Sequence, residues 1–189
     1  MDPAASSFCK DGKYVFEKSG AGAVSREELL DLYARMVRTY PIVSIEDGFA
    51  EDDWEAFRAH NAMLGDRIQI VGDDLYVTNR AFIRRGIREH ATNAVLIKVN
   101  QVGTLSETLD ALLLARRNGY RPVVSARSGE TEDATIADLA VATAAGQIKI
   151  GSVVRSERLA KYNRLLRIEE MLGSAGNFAG RDVVGGGAP

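Results

Sequence analysis

The feature that most constrains the fold is a repeated alternation of short apolar runs with amphipathic helical stretches. Apolar runs typical of strands lie at residues 42–45, 68–71, 94–97, 122–125 and 147–150. Apolar residues at helical spacing fill the intervals between them. This order predicts parallel βα units, arranged either as a doubly wound sheet or as a β/α barrel. The pattern by itself does not choose between the two.

Local signals predict where the helices begin and end. Ser25 and Glu28 form a capping-box pattern, and Pro41 ends the helix that follows them. Asn79 is suited to cap another helix, and Gly173 to end the last one. We expect one domain over residues 1–180 and a flexible tail over 181–189. The first 24 residues are predicted to be irregular, apart from an alternating stretch at 14–17.

Composition places the chain among ordinary globular proteins. It has 189 residues, of which 46% are hydrophobic and 26% are charged. A net charge of −2 gives no reason to expect nucleic acid or an anionic membrane as a partner. The single Cys9 excludes an intrachain disulfide framework, and no apolar run approaches the roughly 18 residues of a membrane span. We therefore expect a cytoplasmic protein.

Charged and polar residues recur where the apolar runs end. Glu46, Asp73, Lys98 and Arg127-Ser128 each follow or end a run, and Lys149 lies within the fifth. Successive members are roughly one βα unit apart. In a barrel, equivalent ends of parallel strands meet at one mouth, where active sites lie. The recurrence therefore predicts one shared site.

The mixture of charges indicates a type of chemistry. Carboxylates such as Glu46 and Asp73 are hard oxygen ligands suited to Mg²⁺. Lys98, Arg127 and Lys149 offer positive charge to a phosphate or carboxylate, and a lysine beside a metal can act as a base. Proton abstraction next to a carboxylate is a natural reaction for such a site.

Each of these residues has a plainer interpretation when taken alone. An acidic pair after a strand is usually a turn or a helix cap, and a lone lysine in a strand is usually solvated. His60 and His90 fall in helix-like stretches and are expected at the surface or in packing contacts. Only the recurrence of charged residues at one-unit spacing favours a common site.

Long motifs around these residues resemble the enolase family. They are Ser44-Ile45-Glu46-Asp47-Gly48-Phe49, Val71-Gly72-Asp73-Asp74-Leu75-Tyr76, Leu96-Ile97-Lys98-Val99-Asn100-Gln101-Val102-Gly103-Thr104, Arg127-Ser128-Gly129-Glu130-Thr131-Glu132-Asp133 and Gly146-Gln147-Ile148-Lys149-Ile150-Gly151-Ser152. The resemblance covers residues 2 to about 180. It implies a partial TIM-type β/α barrel, equivalent to the C-terminal domain of an enolase. The N-terminal domain and the first barrel strands of the family have no counterpart in this sequence.

The resemblance also implies a function and roles for individual residues. Enolases are lyases that dehydrate 2-phospho-D-glycerate to phosphoenolpyruvate with Mg²⁺ in glycolysis. By resemblance, Asp2, Glu46 and Asp73 are the metal ligands and Lys98 is the catalytic base. Arg127, Ser128 and Lys149 are the substrate-binding residues. The implied partners are a small phosphorylated carboxylate, and either a second copy of the chain or a chain that completes the site.

One departure from the family keeps alternatives open. Enolases carry histidine immediately before the Arg-Ser pair, whereas this chain has Ala126. The substitution is compatible with an enolase-related enzyme of altered substrate, such as a carboxyphosphonoenolpyruvate synthase. A non-catalytic enolase remnant that serves as a binding or assembly module is the third reading.

Overall fold

A parallel sheet with its strands in chain order forms the centre of the computed structural model, which describes residues 1–17, 19–20 and 22–184. The strands are β1 (Cys9–Lys10), β2 (Lys13–Phe16), β3 (Gly22–Val24), β4 (Ser44–Glu46), β5 (Gln69–Gly72), β6 (Ala94–Ile97), β7 (Arg121–Ser125) and β8 (Ile148–Lys149). The helices are α1 (Arg26–Thr39), α2 (Trp54–Leu64), α3 (Arg80–Glu89), α4 (Val99–Val102), α5 (Leu105–Arg117), α6 (Thr135–Ala142) and α7 (Ser156–Leu172).

The strand order decides between the two predicted architectures. The five-stranded sheet runs β4-β5-β6-β7-β8, and every neighbouring pair in it is parallel. A doubly wound sheet would reverse its order at a switch point, whereas a β/α barrel adds each strand beside the previous one. The structure is therefore part of a β/α barrel, which confirms the predicted fold class.

The predicted strand positions agree with the structure to within about two residues. The run at 94–97 coincides with β6, which is buried along its whole length. The run at 42–45 becomes strand only from Ser44, because the Ile42 amide donates to the Tyr40 carbonyl in a turn after α1. The helix before β8, α6, ends at Ala142, and Ala144 takes a positive φ of 48°.

Side-chain caps start most of the helices. The predicted capping box of α1 is present, with Ser25 accepting from the Glu28 amide and Glu28 accepting from the Ser25 amide. Asp53, Asn79 and Thr104 cap α2, α3 and α5 in the same way. Each cap satisfies a backbone N–H that the first turn of a helix leaves unpaired.

The first 24 residues are more ordered than the sequence analysis predicted. β1, β2 and β3 form an antiparallel three-stranded sheet, with Tyr14 opposite both Cys9 and Val24. The alternating stretch predicted at 14–17 overlaps β2, whereas β1 and β3 are two and three residues long, too short for periodicity to show. The small sheet is stabilised by contacts far away in the sequence, since the Tyr14 hydroxyl accepts from the Ala50 amide at 3.0 Å.

Met1 lies beside the first strand of the barrel sheet. Its amino group donates to the Ser44 carbonyl at 2.7 Å, and the Glu46 amide donates to the Met1 carbonyl at 2.9 Å. This is the hydrogen-bond pattern of a parallel neighbour of β4. The pairing places Asp2 next to the carboxyl end of β4.

The C-terminal part ends in short turns of helix. Residues Gly173–Ala175 and Gly180–Val184 form 3₁₀ turns, and Gln147 donates to the Val183 carbonyl at 3.3 Å. The part of the predicted flexible tail that covers 185–189 lies outside the described residues. Among the helices that the structure describes, none has the length and apolar character needed to cross a membrane.

Candidate active site

The carboxyl ends of the barrel strands bring most of the predicted site residues together. Glu46 is the last residue of β4, Asp73 follows β5, Lys98 follows β6 and Lys149 is the last residue of β8. Asp2 reaches the same end through the pairing of Met1 with β4. Because the strands are parallel, all five side chains leave the sheet at one mouth.

Lys98 and Asp73 form a close ion pair inside this mouth. The Lys98 Nζ donates to the Asp73 Oδ2 at 2.5 Å, and both side chains are nearly buried. The other carboxylate oxygen of Asp73, Oδ1, is buried and has no hydrogen-bond partner among the described residues. A buried carboxylate oxygen without a partner is costly, so it is available to a ligand.

Lys149 joins two carboxylates across the sheet. Its Nζ donates to the Glu46 Oε1 at 2.6 Å and to the Asp2 Oδ2 at 2.9 Å. Glu46 and Lys149 lie on the two outermost strands of the five-stranded sheet. Neighbouring strands are about 4.8 Å apart, so a flat sheet would hold these side chains out of reach of each other. Their contact shows that the sheet curls as a barrel wall does.

The carboxylates stand close enough to influence one another. Burial raises the pKa of Glu46, the hydrogen bond and charge of Lys149 oppose that rise, and the charges of Asp2 and Asp73 add to it. Burial by itself would lower the pKa of Lys149, but hydrogen bonds to Glu46 and Asp2 outweigh it and raise the pKa. The site therefore favours a positive group between its carboxylates.

Asp47 organises the backbone that carries Asp73. One Asp47 oxygen accepts from the Asp73 amide and the other from the Asp74 amide, both at 2.9 Å. Burial raises the pKa of Asp47 to about 7 against these two hydrogen bonds. The side chains of Asp47, Asp73 and Asp74 could themselves hold a metal ion, since one ligand atom from each lies within 4.8 Å of the others.

A strained turn between β5 and α3 holds the backbone of Lys98 by a hydrogen bond. Val77 and Thr78 have positive φ values of 42° and 56°, which are rare for β-branched residues. The buried Thr78 hydroxyl accepts from the Lys98 amide at 2.9 Å and donates to the Gln101 side-chain oxygen at 2.5 Å. Such strain persists only where the surrounding structure maintains it. Here the strained turn places the Thr78 hydroxyl where it can hold the backbone of Lys98.

Arg127 and Ser128 lie on the loop between β7 and α6, and both are exposed. The Arg127 guanidinium donates to the Asn100 side-chain oxygen at 3.2 Å, which places it near α4, directly after Lys98. The Arg127 amide donates to the Glu130 Oε1 at 2.7 Å. The structure thus brings Arg127 to the edge of the same mouth, and Ser128 accompanies it on the loop.

The residues present fit a divalent cation. Asp2, Glu46 and Asp73 are hard oxygen donors, the ligand type that Mg²⁺ prefers. Two of them already converge on one cationic group, the Lys149 ammonium, and the third has an unpartnered buried oxygen. The chemistry of this donor set is therefore suited to Mg²⁺ at the mouth of the barrel.

Several residues with defined roles in this arrangement were not singled out from the sequence. Asp47 stands next to Glu46, and the acidic pair itself was the available signal. Thr78 gave no signal, since a threonine in a turn is common. His60 was expected at the surface or in packing contacts, and it is fully buried with its ring stacked on Tyr33.

The fold and site together define a β/α-barrel protein with an acidic and lysine-rich mouth, and comparison with known proteins makes this class specific. The sequence profile of "Enolase, C-terminal TIM barrel domain" matches residues 1–185. The chain is also 60% identical over 178 residues to a protein named Enolase 1 from Methylococcus capsulatus (strain ATCC 33009 / NCIMB 11132 / Bath). That match covers 94% of this chain and 42% of the relative.

The chain therefore belongs to the enolase family, and it corresponds to the C-terminal barrel domain of that family. It spans less than half the length of the curated relative that it matches.

Proposed function

We propose that this chain carries the catalytic face of an enolase-type lyase, which dehydrates 2-phospho-D-glycerate to phosphoenolpyruvate in glycolysis with Mg²⁺. The observation that carries the proposal is the convergence of Asp2, Glu46 and Asp73 with Lys98 and Lys149 at one barrel mouth. Family membership supports the same reaction class. Residues 1–180 form the working unit in this proposal.

Each charged residue has a chemical role in the proposed reaction. Asp2, Glu46 and Asp73 would hold Mg²⁺, which when bound stabilises the negative charge that develops on the substrate carboxylate. Lys149 binds that carboxylate, and Arg127 with Ser128 binds the phosphate.

Lys98 acts as the base at the reacting carbon. In the proposed step the Lys98 Nζ takes the proton from C2, the C2–C3 double bond forms, and the C3 hydroxyl leaves as hydroxide, which takes up a proton to become the water released by the dehydration. The short contact with Asp73 and the buried Thr78 hydrogen bond hold the Lys98 side chain and backbone in place before substrate arrives. Such prior positioning lowers the cost of reaching the reactive geometry.

The proposal includes a cytoplasmic location and a partner that completes the barrel. The described chain provides the strands β4 to β8 with Met1 beside β4. A second copy, or a chain that carries the remaining part of an enolase, would extend this sheet at its outer strands.

Ala126 favours one alternative activity. Its amide donates to the Lys149 carbonyl at 2.9 Å, so the backbone of Ala126 lies beside the strand that carries Lys149. A methyl group in place of the family's histidine suits a substrate of different shape, such as that of a carboxyphosphonoenolpyruvate synthase. Turnover of 2-phosphoglycerate at the rate of ordinary enolases would exclude this alternative.

The direct test is turnover of 2-phosphoglycerate by the purified 189-residue chain with Mg²⁺, followed by phosphoenolpyruvate absorbance. Turnover that is lost on chelation of Mg²⁺ would support the proposal. A folded chain that gives no turnover, alone or mixed with a barrel-completing enolase fragment, would contradict it and favour a binding module.

A pair of variants separates the base from the metal ligands. Lys98→Met should lower exchange of the C2 proton with solvent by about 10²–10⁴-fold, the usual contribution of a general base, and leave Mg²⁺ affinity unchanged. Glu46→Gln should weaken Mg²⁺ binding measured by calorimetry. If exchange persists in Lys98→Met, another group removes the proton.

A further inference from the structure

The loop that carries Arg127 and Ser128 has few backbone hydrogen bonds of its own. We call residues 126–134, between β7 and α6, the 126–134 loop. Arg127 donates its amide to a side chain, Glu130, and Asp133 donates its amide to the Thr131 hydroxyl at 3.3 Å. A loop bonded in this way depends on side chains for its conformation. Its support must therefore be sought outside the loop.

A buried lysine on the last helix provides that support. Lys161 is the one residue of α7 that is buried, and its exposure is 0%. Its Nζ donates to the Thr131 carbonyl at 2.6 Å and to the Glu157 carbonyl at 2.9 Å, and it lies 3.0 Å from the Glu130 Oε2. An ammonium is costly to bury unless its hydrogen bonds are made, and here it has three oxygen partners.

Glu130 connects this lysine to Arg127. One Glu130 oxygen faces the Lys161 ammonium, and the other accepts from the Arg127 amide at 2.7 Å. The contacts therefore run from α7 through Glu130 to the backbone of a residue assigned to substrate binding. The Arg127 guanidinium is fixed separately by Asn100 on α4, next to Lys98.

We propose that Lys161 is a positioning residue that acts through Glu130 to fix the 126–134 loop, so that Arg127 and Ser128 are set for an anionic phosphate group. The assignment of the phosphate rests on the proposed function. The role of Lys161 in fixing the loop is independent of the proposed function, because it follows from the contacts of Lys161 and Glu130.

Arg164 provides a matched control on the same helix. It also ties α7 to the rest of the molecule, through an ion pair with Asp138 on α6, and none of its described contacts is with the 126–134 loop. Lys161→Met and Arg164→Met remove one positive charge each from α7. A purely structural role of Lys161 would make Lys161→Met speed exchange throughout the sheet, whereas a positioning role speeds it at the Arg127 amide.

Hydrogen exchange at the Arg127 amide is the first readout. In the full chain, Lys161→Met should speed exchange of this amide about tenfold or more, the value of a lost charge-assisted hydrogen bond, while the amides of β6 keep their rates. Arg164→Met should leave the Arg127 amide unchanged. Equal acceleration across the whole sheet in Lys161→Met would overturn the proposal, because it would show general destabilisation.

Glu130→Ala tests the connection independently and covers the case in which Lys161→Met fails to fold. The Glu130 side chain is partly exposed, and the Lys161 ammonium keeps the Thr131 and Glu157 carbonyls as partners when Glu130 is removed. It should speed Arg127 exchange by a similar factor, and the double variant should be little faster than either single one, as expected for residues that act in series. Unchanged exchange in Glu130→Ala, or additive effects in the double variant, would contradict action through Glu130.

Affinity for 2-phosphoglycerate with Mg²⁺ is the second readout. We expect Lys161→Met to weaken binding about tenfold and Arg164→Met to have no effect, with KM rising and kcat unchanged wherever turnover is measured. Faster Arg127 exchange with unchanged affinity would leave the loop support standing and refute the phosphate role of Arg127 and Ser128. If the parent chain does not bind 2-phosphoglycerate, the proposed function fails, and hydrogen exchange still decides the role of Lys161.

Discussion

The core around β4 to β6 and the core around β7 and β8 are built differently. The first contains a cluster of aromatic rings, in which Phe49 contacts Tyr14, Tyr33, Phe57 and His60 at centroid distances of 5.4–6.2 Å. The second is a smaller cluster of aliphatic side chains, namely Leu112, Val124, Leu139, Ala140 and Ala145. Large rings bury more apolar area for each residue fixed, so the first core contributes more stability.

The helices of the second region also have fewer stabilising features than those of the first. Side chains cap α1, α2, α3 and α5. The N-cap residues of α6 and α7 are Ala134 and Arg155, and neither makes a side-chain cap hydrogen bond. The helix α7 buries only Lys161 and leaves Leu166 and Met171 exposed. The second region therefore relies on polar contacts to a greater degree than the first region does.

The difference has a consequence for the candidate site. Glu46, Asp73 and Lys98 stand on strands backed by the aromatic core, so packing fixes their backbone. Lys149 and the 126–134 loop lie in the region of the smaller aliphatic core, where ion pairs and side-chain hydrogen bonds supplement the packing. The proposed base and two proposed metal ligands are therefore held by the packing of the first core. The geometry of the proposed substrate-binding residues depends instead on contacts between charged side chains.

The largest expected effect comes from a matched pair of core truncations. Leu29 on α1 is 1% exposed in the first core, and Leu139 on α6 is 7% exposed in the second. Leu29→Ala should lower the free energy of unfolding by about 4 kcal/mol and Leu139→Ala by about 2 kcal/mol, the upper and lower parts of the usual range. Urea unfolding followed by circular dichroism measures both. Equal losses would remove the distinction between the two cores.

The second prediction concerns pH and the aromatic core. His60 is fully buried, and its two ring nitrogens have no hydrogen-bond partner in the part of the chain that the structure describes. Burial lowers its pKa to about 3 from an ordinary value of 6.5. The unfolded chain therefore takes up a proton below pH 6.5 that the folded chain does not, and stability falls as pH falls. The loss should be about 2 kcal/mol between pH 7 and pH 5.

His60→Phe should abolish this part of the pH dependence, because it keeps a ring in the cluster and removes the titrating nitrogens. Urea unfolding at pH 7 and pH 5 measures the difference for the parent and the variant. The control is His90→Gln, at an exposed position, which should keep the parent slope. A parent slope retained in His60→Phe would mean that His60 is protonated or solvated in the folded chain.

The smallest effect is expected at the ion pair between α6 and α7. Arg164 and Asp138 are both partly exposed, and such pairs contribute about 0–1 kcal/mol. Arg164→Met should therefore change the free energy of unfolding by less than about 1 kcal/mol in thermal or urea melts. A loss comparable to that of Leu139→Ala would show that polar contacts hold the second region more strongly than we propose.

The amino-acid sequence by itself determined the alternation of strands and helices, the starts of α1 and α3, and the family. Periodicity, caps and turn residues are local signals, so Ser25, Asn79 and the run at 94–97 could be assigned without a structure. The recurrence of Glu46, Asp73, Lys98 and Lys149 at strand ends also predicted a shared mouth. The short strands β1 and β3, and the pairing of both with β2, could not be found in this way, because distant contacts such as that of Tyr14 stabilise the small sheet.

Only the tertiary structure decided between the two sheet architectures and showed which charges meet. The contact of Lys149 with Glu46 and Asp2 depends on the curl of the sheet, which brings its two outer strands together. The burial of Lys161 is equally invisible in the sequence, since a lysine on a helix is normally solvated. Its charge is accommodated only because Thr131, Glu157 and Glu130 surround it in the folded chain, and that arrangement joins residues far apart in the sequence.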